Sequence, residues 1–357
     1  MSSFELLYTS TPTPDAEREA ALADPGFGRY YTDHMAIARY SDAEGWHGHQ
    51  LVGTEDFRLH PAAAVLHYGQ EIFEGMKAYR REDDSIWLFR PERNAARFAR
   101  SATRLAMTPL PEDTFLDAVF SLVDLDRDWV PEGTGEQSLY IRPFQIADEA
   151  FLGVRPSNNY LFAVLCTPVG PYYPDPVKLW VTPKYTRAAP GGTGTAKCGG
   201  NYAASLAAAN EAHEHGCEQV LYLDGAEHRW IEESGTMNFM VVTADRQLIT
   251  PALGTILDGV TRDSILALAP EHGLEPVQRP LSVVELRQGL QSGKITEVFC
   301  CGTAAVITPI TGFSFEEGDL AVGDARPGPI TRELRSHLLD IQYGRADDTH
   351  GWTHRVG

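Results

Sequence analysis

Polar and apolar positions along this chain follow two periods, and the change from one to the other marks its elements. Residues 95–107, AARFARSATRLAM, place apolar side chains three and four apart, which predicts an amphipathic helix. Residues 112–123, EDTFLDAVFSLV, repeat that spacing behind Pro111. Their acidic first turn suits a helix start, where negative charge meets the positive end of the backbone dipole. SLYIRPFQIA (138–147) and NYLFAVLCTPVG (159–170) are instead β-rich runs bounded by turn residues. Farther on, VKLWVTP, EQVLYLDG and MNFMVVTADRQLITP read as strands. An alanine-rich stretch from Tyr202, TRDSILALA and residues 331–342 read as helices. The first 26 residues are polar and proline-bearing and read as a tail or an arm laid on the surface.

The segment PVGPYYPDP (168–176) holds four prolines in nine residues and cannot be regular structure. It predicts an interdomain linker at 171–178, between a smaller N-terminal α+β domain (1–170) and a larger C-terminal α+β domain (179–357). Strands and helices mix without a clean βαβ alternation, which favours α+β over a doubly wound sheet. No G-x-G-x-x-G lies between a strand and a helix, so a dinucleotide fold is not indicated.

Composition narrows the function. A chain of 357 residues is long enough for two cores, and 43% apolar with 22% charged residues is ordinary for a globular protein. The formal charge of −19 argues against nucleic acid or an anionic membrane surface as partner, since like charges repel. A small anionic ligand needs only a local cluster of donors and stays open. Cys166, Cys198, Cys217, Cys300 and Cys301 cannot all pair and show no metal-ligand spacing. They are read as reduced thiols in a cytoplasmic protein, with no metal site. The N-terminus has no basic region or apolar run of signal length, and no stretch approaches the ~20 apolar residues of a membrane span.

Residues 191–202 read GGTGTAKCGGNY, a lysine between two glycine clusters. The phosphate-loop template G-x-x-x-x-G-K-[ST] nearly fits from Gly191, but Ala196 replaces the second glycine and Cys198 the magnesium-binding hydroxyl. The glycines would still let a planar ligand approach the main chain closely. Three other segments share this mix of glycine and polar residues around apolar runs: IEESGTMNFMVV (231–242), TILDGVTRDSIL (255–266) and FCCGTAAVITPI (299–310). Glu233 stands at the entrance of a buried strand. The amides of Val260 and Thr261 would point from a helix start toward an anion. Gly302, Thr303 and Ala304 interrupt an apolar strand, as a β-bulge would.

LHYGQEIFEGMKAYR, IWLFRPERN, SLYIRPFQIADEAFLGV, KCGGNYAAS, EESGTMNF, GTILDGVTRDS and CGTAAV occur in this order. In that arrangement the chain resembles the branched-chain amino acid aminotransferases, pyridoxal-phosphate enzymes of the two-domain D-amino-acid aminotransferase-like fold (fold type IV). The resemblance runs from about Phe27 to IQYG (341–344). It implies transamination between branched-chain L-amino acids and 2-oxoglutarate by a cytoplasmic homodimer with a shared active site.

The resemblance also implies roles residue by residue. Lys197 would form the Schiff base with the cofactor and afterwards move the substrate's α-proton, for which its amine must be neutral. Glu233 would face the pyridine nitrogen, with Glu232 sent to the opposite side by strand alternation. Tyr202 would hydrogen-bond the ring oxygen, and Leu257 would pack on the ring. Arg90, Gly259, Val260, Thr261 and Thr303 would hold the phosphate. Phe27, Phe73 and Tyr172 would form an apolar wall. Tyr68, Tyr140 and Arg142 would add a polar corner, with Thr236 and Ala304 closing the site. Val154, in FLGV, would reach into the neighbouring subunit. The other arginines of 93–104 read as a solvated helix face. Ala305 and Thr308 stand where some members carry a C-x-x-C redox pair, so that switch is expected to be missing. Other enzymes of the fold act on D-amino acids or cleave aminodeoxychorismate; Tyr140-x-Arg142 with EGMKAY and CGGNY favours the branched-chain group.

Overall fold

Two nine-stranded sheets, each with its own apolar core, organise the chain. A computed structural model describes residues 3–133, 135–173 and 175–357; Pro174, part of the expected linker, lies outside the described residues. Two compact units result. The first comprises 1–172, 196–199 and 340–357, the second 173–195 and 200–339.

In the first unit the strands are β1 (Glu5–Leu6), β2 (His34–Ser41), β3 (Gly45–Gly53), β4 (Glu71–Phe73), β5 (Met76–Arg80), β6 (Ile86–Phe89), β7 (Ser138–Ala147) and β8 (Asn159–Val169). They line up as β1-β3-β2-β8-β7-β5-β6, with the C-terminal strand Thr353–Val356 beyond β6 and β4 beside β7. The helices are α1 (Asp15–Ala23), α2 (Ala64–Tyr68), α3 (Pro91–Arg104) and α4 (Glu112–Leu125). Helices α3 and α4 bring Phe98 and Phe115 against Phe162 of β8, with ring centroids 5.2–6.1 Å apart. Each such ring contributes roughly 1.5–3 kcal/mol by leaving water. Strand alternation splits β7 into two faces. Leu139, Ile141, Pro143, Gln145 and Ala147 are buried, whereas Arg142, Phe144 and Ile146 are only half-buried. The register Phe73↔Phe144 and Glu71↔Ile146 puts Glu71 and Phe73 on that half-buried face.

The second unit holds β9 (Val177–Val181), β10 (Gln219–Leu223), β11 (Ile231–Ser234), β12 (Met237–Thr243), β13 (Gln247–Thr250), β14 (Glu275–Gln278), β15 (Ile295–Gly302), β16 (Val306–Phe315) and β17 (Gly318–Ala321). Because β11 pairs with both β10 and β12, the path β11-β10-β9-β16-β15-β12 closes on itself. Closure leaves no unpaired edge within that ring. Leu179, Leu221, Phe239, Val241, Val298 and Phe313 fill its core. Helices α5 (Gly199–Ala203), α6 (Leu206–Glu214), α7 (Val260–Leu268), α8 (Val283–Ser292) and α9 (Pro329–Gln342) follow in order.

Four sequence expectations are revised. The N-terminal segment is more than an arm: Glu5–Leu6 pairs in parallel with β3, Phe4 is buried, and DAEREAALA forms α1. The run 237–251 is two strands, since Arg246 takes a left-handed φ of 65° and turns β12 into β13. The alanine-rich stretch from Tyr202 is two helices, α5 and α6. Residues 340–357 belong to the first unit, where Thr353–Val356 pairs with β6. That pairing joins residues far apart in sequence, and no local pattern announces it.

Candidate active site

In the first unit the sequence-selected residues gather on the half-buried face of β4 and β7. The Arg142 guanidinium lies 4.7 Å from the centre of the Phe73 ring, and its Nη2 donates to the Tyr140 hydroxyl at 3.1 Å. Phe27 packs against Tyr140 (5.2 Å) and Tyr172 (5.0 Å), which assembles the apolar wall beside one cation. Gly75 is required here, because a Cβ would collide with the Tyr140 hydroxyl. The Tyr68 hydroxyl donates to the Leu152 carbonyl. Leu152 belongs to the same loop as Val154, which is 87% exposed.

Lys197 is fixed by its backbone. Ala196 and Cys198 are buried in the first unit's core, so alternation turns Lys197 the other way, half-buried. The Lys197 N–H donates to Ser101 Oγ at 3.0 Å, and its carbonyl accepts the Phe73 N–H at 2.9 Å. The Gly199 N–H donates to the Glu71 carboxylate. The ammonium nitrogen lies 4.7 Å from the centre of the Phe73 ring. Glu71, Ser101 and Phe73 thus anchor the turn from strand and helix; Ser101 lies in none of the motifs that carried the resemblance.

Beneath this face Glu74 is fully buried. It accepts from Arg97 at 2.7 and 2.9 Å, from Asn94 at 2.7 Å and from the Gly75 N–H at 3.1 Å. Burial pushes its carboxyl up, but the Arg97 charge and hydrogen bonds, Lys197 and Asn94 together bring it below the usual value. Arg97 therefore does not belong to a solvated helix face, as expected from the sequence; the period of α3 turns it inward with Phe98 and Ala102. Arg90 caps α3 in the left-handed conformation (φ 50°), is buried, and sits 4.8 Å from the centre of the Trp352 ring. A non-glycine residue held there is strained, which is common where function fixes a side chain.

In the second unit Glu233 and Glu232 take opposite faces of β11. Glu232 accepts the Thr255 hydroxyl at 2.6 Å, and burial raises its carboxyl. Glu233 accepts the Leu257 N–H and the Asn238 amide, both at 3.3 Å. Arg187 approaches it at 3.6 Å, with both side chains almost fully buried, and lies 5.6 Å from the centre of the Tyr202 ring. Sequence reasoning missed Arg187; its only signal was a lone arginine just before the glycine cluster. Leu257 is buried.

Helix α7 starts at Val260 without a side-chain cap. Val260 and Thr261 are buried, and a Cβ on the N-cap residue Gly259 would collide with Asn238. Thr236 is exposed at the two-residue turn between β11 and β12. Thr303, Ala304 and Ala305 form the turn between β15 and β16, where Gly302 pairs with Val306, so this is a hairpin and not a bulge. Val306 closes it at φ 58°, an outlier for a β-branched residue.

The amino-transferase class IV family model matches residues 71–313. The chain is 49% identical over 360 residues to the branched-chain-amino-acid aminotransferase of Mycolicibacterium smegmatis, covering 99% of this chain and 98% of that one. The solved branched-chain amino acid aminotransferase of Escherichia coli is 29% identical and superposes with a TM-score of 0.74, over 91% of this chain and 99% of that one. A branched-chain amino acid aminotransferase from Thermobaculum terrenum, solved in its PLP form, is 25% identical with a TM-score of 0.72, over 91% and 98%.

Proposed function

The chain belongs to the class IV amino-transferases, and on that premise we propose that it moves the amino group between branched-chain L-amino acids and 2-oxoglutarate, with pyridoxal 5'-phosphate as cofactor. The residues present fit that cofactor. Glu233, a buried carboxylate held by two donors and beside Arg187, suits a cationic ring nitrogen. The uncapped start of α7, with buried Val260 and Thr261, suits a phosphate. Lys197, on a turn fixed by its own backbone, suits an aldehyde.

When bound, pyridoxal phosphate supplies an electron sink for the pair left by the departing α-proton. The protein's residues supply the rest. Lys197 would hold the cofactor's aldehyde, and its free Nζ would take and return the substrate's α-proton. Glu233 would keep the ring nitrogen protonated by presenting a negative charge to it. Tyr202 and Leu257 would orient the ring, while Arg90, Gly259, Val260, Thr261 and Thr303 would hold the phosphate, for which a guanidinium is well suited. Phe27, Phe73 and Tyr172 exclude water around a hydrocarbon side chain, and Arg142 meets the side-chain carboxylate of glutamate and 2-oxoglutarate. Tyr140 and the Ala304 amide would hold the α-carboxylate common to both substrates, with Thr236 closing the site beside the cofactor.

The observation that carries the substrate class is that wall: Phe27, Tyr140 and Tyr172 in ring contact, with one guanidinium stacked on Phe73. A leucine-sized group gains roughly 1.5–3 kcal/mol there, while a bare carboxylate would be penalised without the cation. The working unit is a cytoplasmic homodimer. Leu66, Phe151, Leu152 and Val154 expose apolar surface around one loop, and a second copy would cover it.

The test is transamination of L-leucine, L-isoleucine, L-valine and their D-isomers against 2-oxoglutarate, with glutamate formation as readout. Turnover of the L-isomers is expected; activity confined to D-isomers would overturn the reading. Sedimentation at assay concentration should show a dimer, and a fully active monomer would refute the shared site.

A further inference from the structure

Glu71, whose carboxylate anchors the backbone of the lysine turn, also lies on the strand face that carries Arg142. It opens β4, two residues before Phe73, on the same half-buried face as Tyr140 and Arg142. Its carboxylate accepts the N–H of Gly199, two residues after Lys197, and a Cβ at Gly199 would collide with it. Arg142 is its electrostatic neighbour. The Arg142 Nη2 goes to Tyr140, and its buried Nε has no hydrogen-bond partner among the described residues. Phe73 and Tyr140 surround this cation with aromatic rings.

We propose that Glu71 is a positioning residue with two attachments. Through Gly199 it clamps the turn that carries Lys197, and it is the counter-charge that lets Arg142 stay in an apolar wall when a hydrocarbon side chain covers it. This rests on the reading of Arg142 as the cation for the substrate's side-chain carboxylate. The two substrates load Arg142 differently. A dicarboxylate brings its own negative charge, whereas leucine brings none and strips water from the guanidinium. A fixed carboxylate nearby removes much of that cost for leucine and works against the dicarboxylate, so it keeps one pocket usable by both. Burial pushes the Glu71 carboxyl up, and the Gly199 N–H and the Arg142 charge act against that shift.

Glu71→Gln keeps an acceptor for Gly199 and removes the charge; Glu71→Ala removes both. The half-reactions with leucine and with glutamate are measured separately, and amide exchange over 196–201 is followed in the cofactor-free protein. In Glu71→Gln the KM for leucine should rise and that for glutamate should fall. Their ratio should move about tenfold toward the dicarboxylate, the scale of a nearby charge at intermediate dielectric. In Glu71→Ala kcat should fall about tenfold in both half-reactions, and exchange at Gly199 should quicken similarly. Glu71→Gln should restore most of both. In an Arg142→Met background Glu71→Gln should no longer move the ratio.

An unmoved ratio in Glu71→Gln, while Arg142→Met still loses glutamate selectively, overturns the counter-charge. Parental exchange and kcat in Glu71→Ala overturn the clamp. If Arg142→Met weakens both substrates equally, the reading of Arg142 fails and the counter-charge falls with it. The exchange measurement then decides the clamp alone.

Discussion

Glu74→Gln removes one charge from the buried pair beneath Lys197 while keeping the side chain's shape. The wild-type carboxylate is fully buried and accepts from Arg97 at 2.7 and 2.9 Å, a two-point contact that Asn94 and the Gly75 N–H complete. The variant turns an amide N–H₂ toward donors and leaves the Arg97 cation, also buried, without its counter-charge. Breaking a buried pair from one side costs about 3–5 kcal/mol. For a unit of this size each kcal/mol moves the midpoint by about 2–4 °C, so the first unit should melt roughly 6–20 °C earlier. Scanning calorimetry at neutral pH reads this directly.

The control is the double variant Glu74→Leu with Arg97→Met, which removes both charges and fills the volume. Such replacements are often neutral, so it should melt above either single variant. The pH dependence has a definite sign. Glu74's folded value lies below its ordinary 4.5, so the pair's contribution is present above that range and is lost as pH falls through the folded value. The gap between wild type and Glu74→Gln should therefore narrow in acid. A single variant losing under about 1 kcal/mol, or a double variant losing as much as both singles together, would refute the reasoning.

Lys197→Ala should abolish turnover, and mass spectrometry after borohydride reduction should find no pyridoxyl adduct; normal activity would sink the assignment. Glu233→Gln should slow the single-turnover step roughly a hundredfold, the usual worth of a charge placed where the transition state needs it, and unchanged rates would shift suspicion to Glu232. Arg142→Met should weaken glutamate and 2-oxoglutarate far more than leucine in separate half-reactions, and no loss at all would mean the cation lies elsewhere. Mild peroxide should leave activity intact. All five thiols are buried, and burial pushes Cys300 up to about 12 and Cys301 higher still. Reversible loss restored by a thiol would contradict this.

What could be read in the sequence were features set by neighbours along the chain. The strand 138–147 matches β7 to the residue, since alternation and β-branched or aromatic residues are local signals. Glu232 and Glu233 could be told apart because adjacent strand residues point to opposite faces, and the structure gives them different partners. What could not be read depends on pairings far apart in sequence. Arg97 looked like one more polar residue of an arginine-rich helix until Glu74, 23 positions earlier, was seen to meet it. Arg187 and Ser101 carry no motif, and their roles appear only when β11 and the lysine turn are folded against them.

The glycine cluster around Lys197 shows the same limit from the other side. Its spacing nearly met a phosphate-loop template, and the sequence suggested that the glycines leave room for a ligand. For two of them the structure gives a different cause. A Cβ at Gly194 would collide with the Thr255 carbonyl and the Ala188 side chain, and one at Gly199 with the Glu71 carboxylate. Gly191 adds a left-handed turn at φ 76°. These glycines make room for the protein's own atoms, whereas a phosphate loop keeps such room for the nucleotide. Both designs need main chain to approach main chain or carboxylate closely, so both collect glycine around a lysine. The residues flanking the lysine separate them. Ala196 and Cys198 are buried in the first unit's core, and that burial, not a bound phosphate, sets the direction of Lys197.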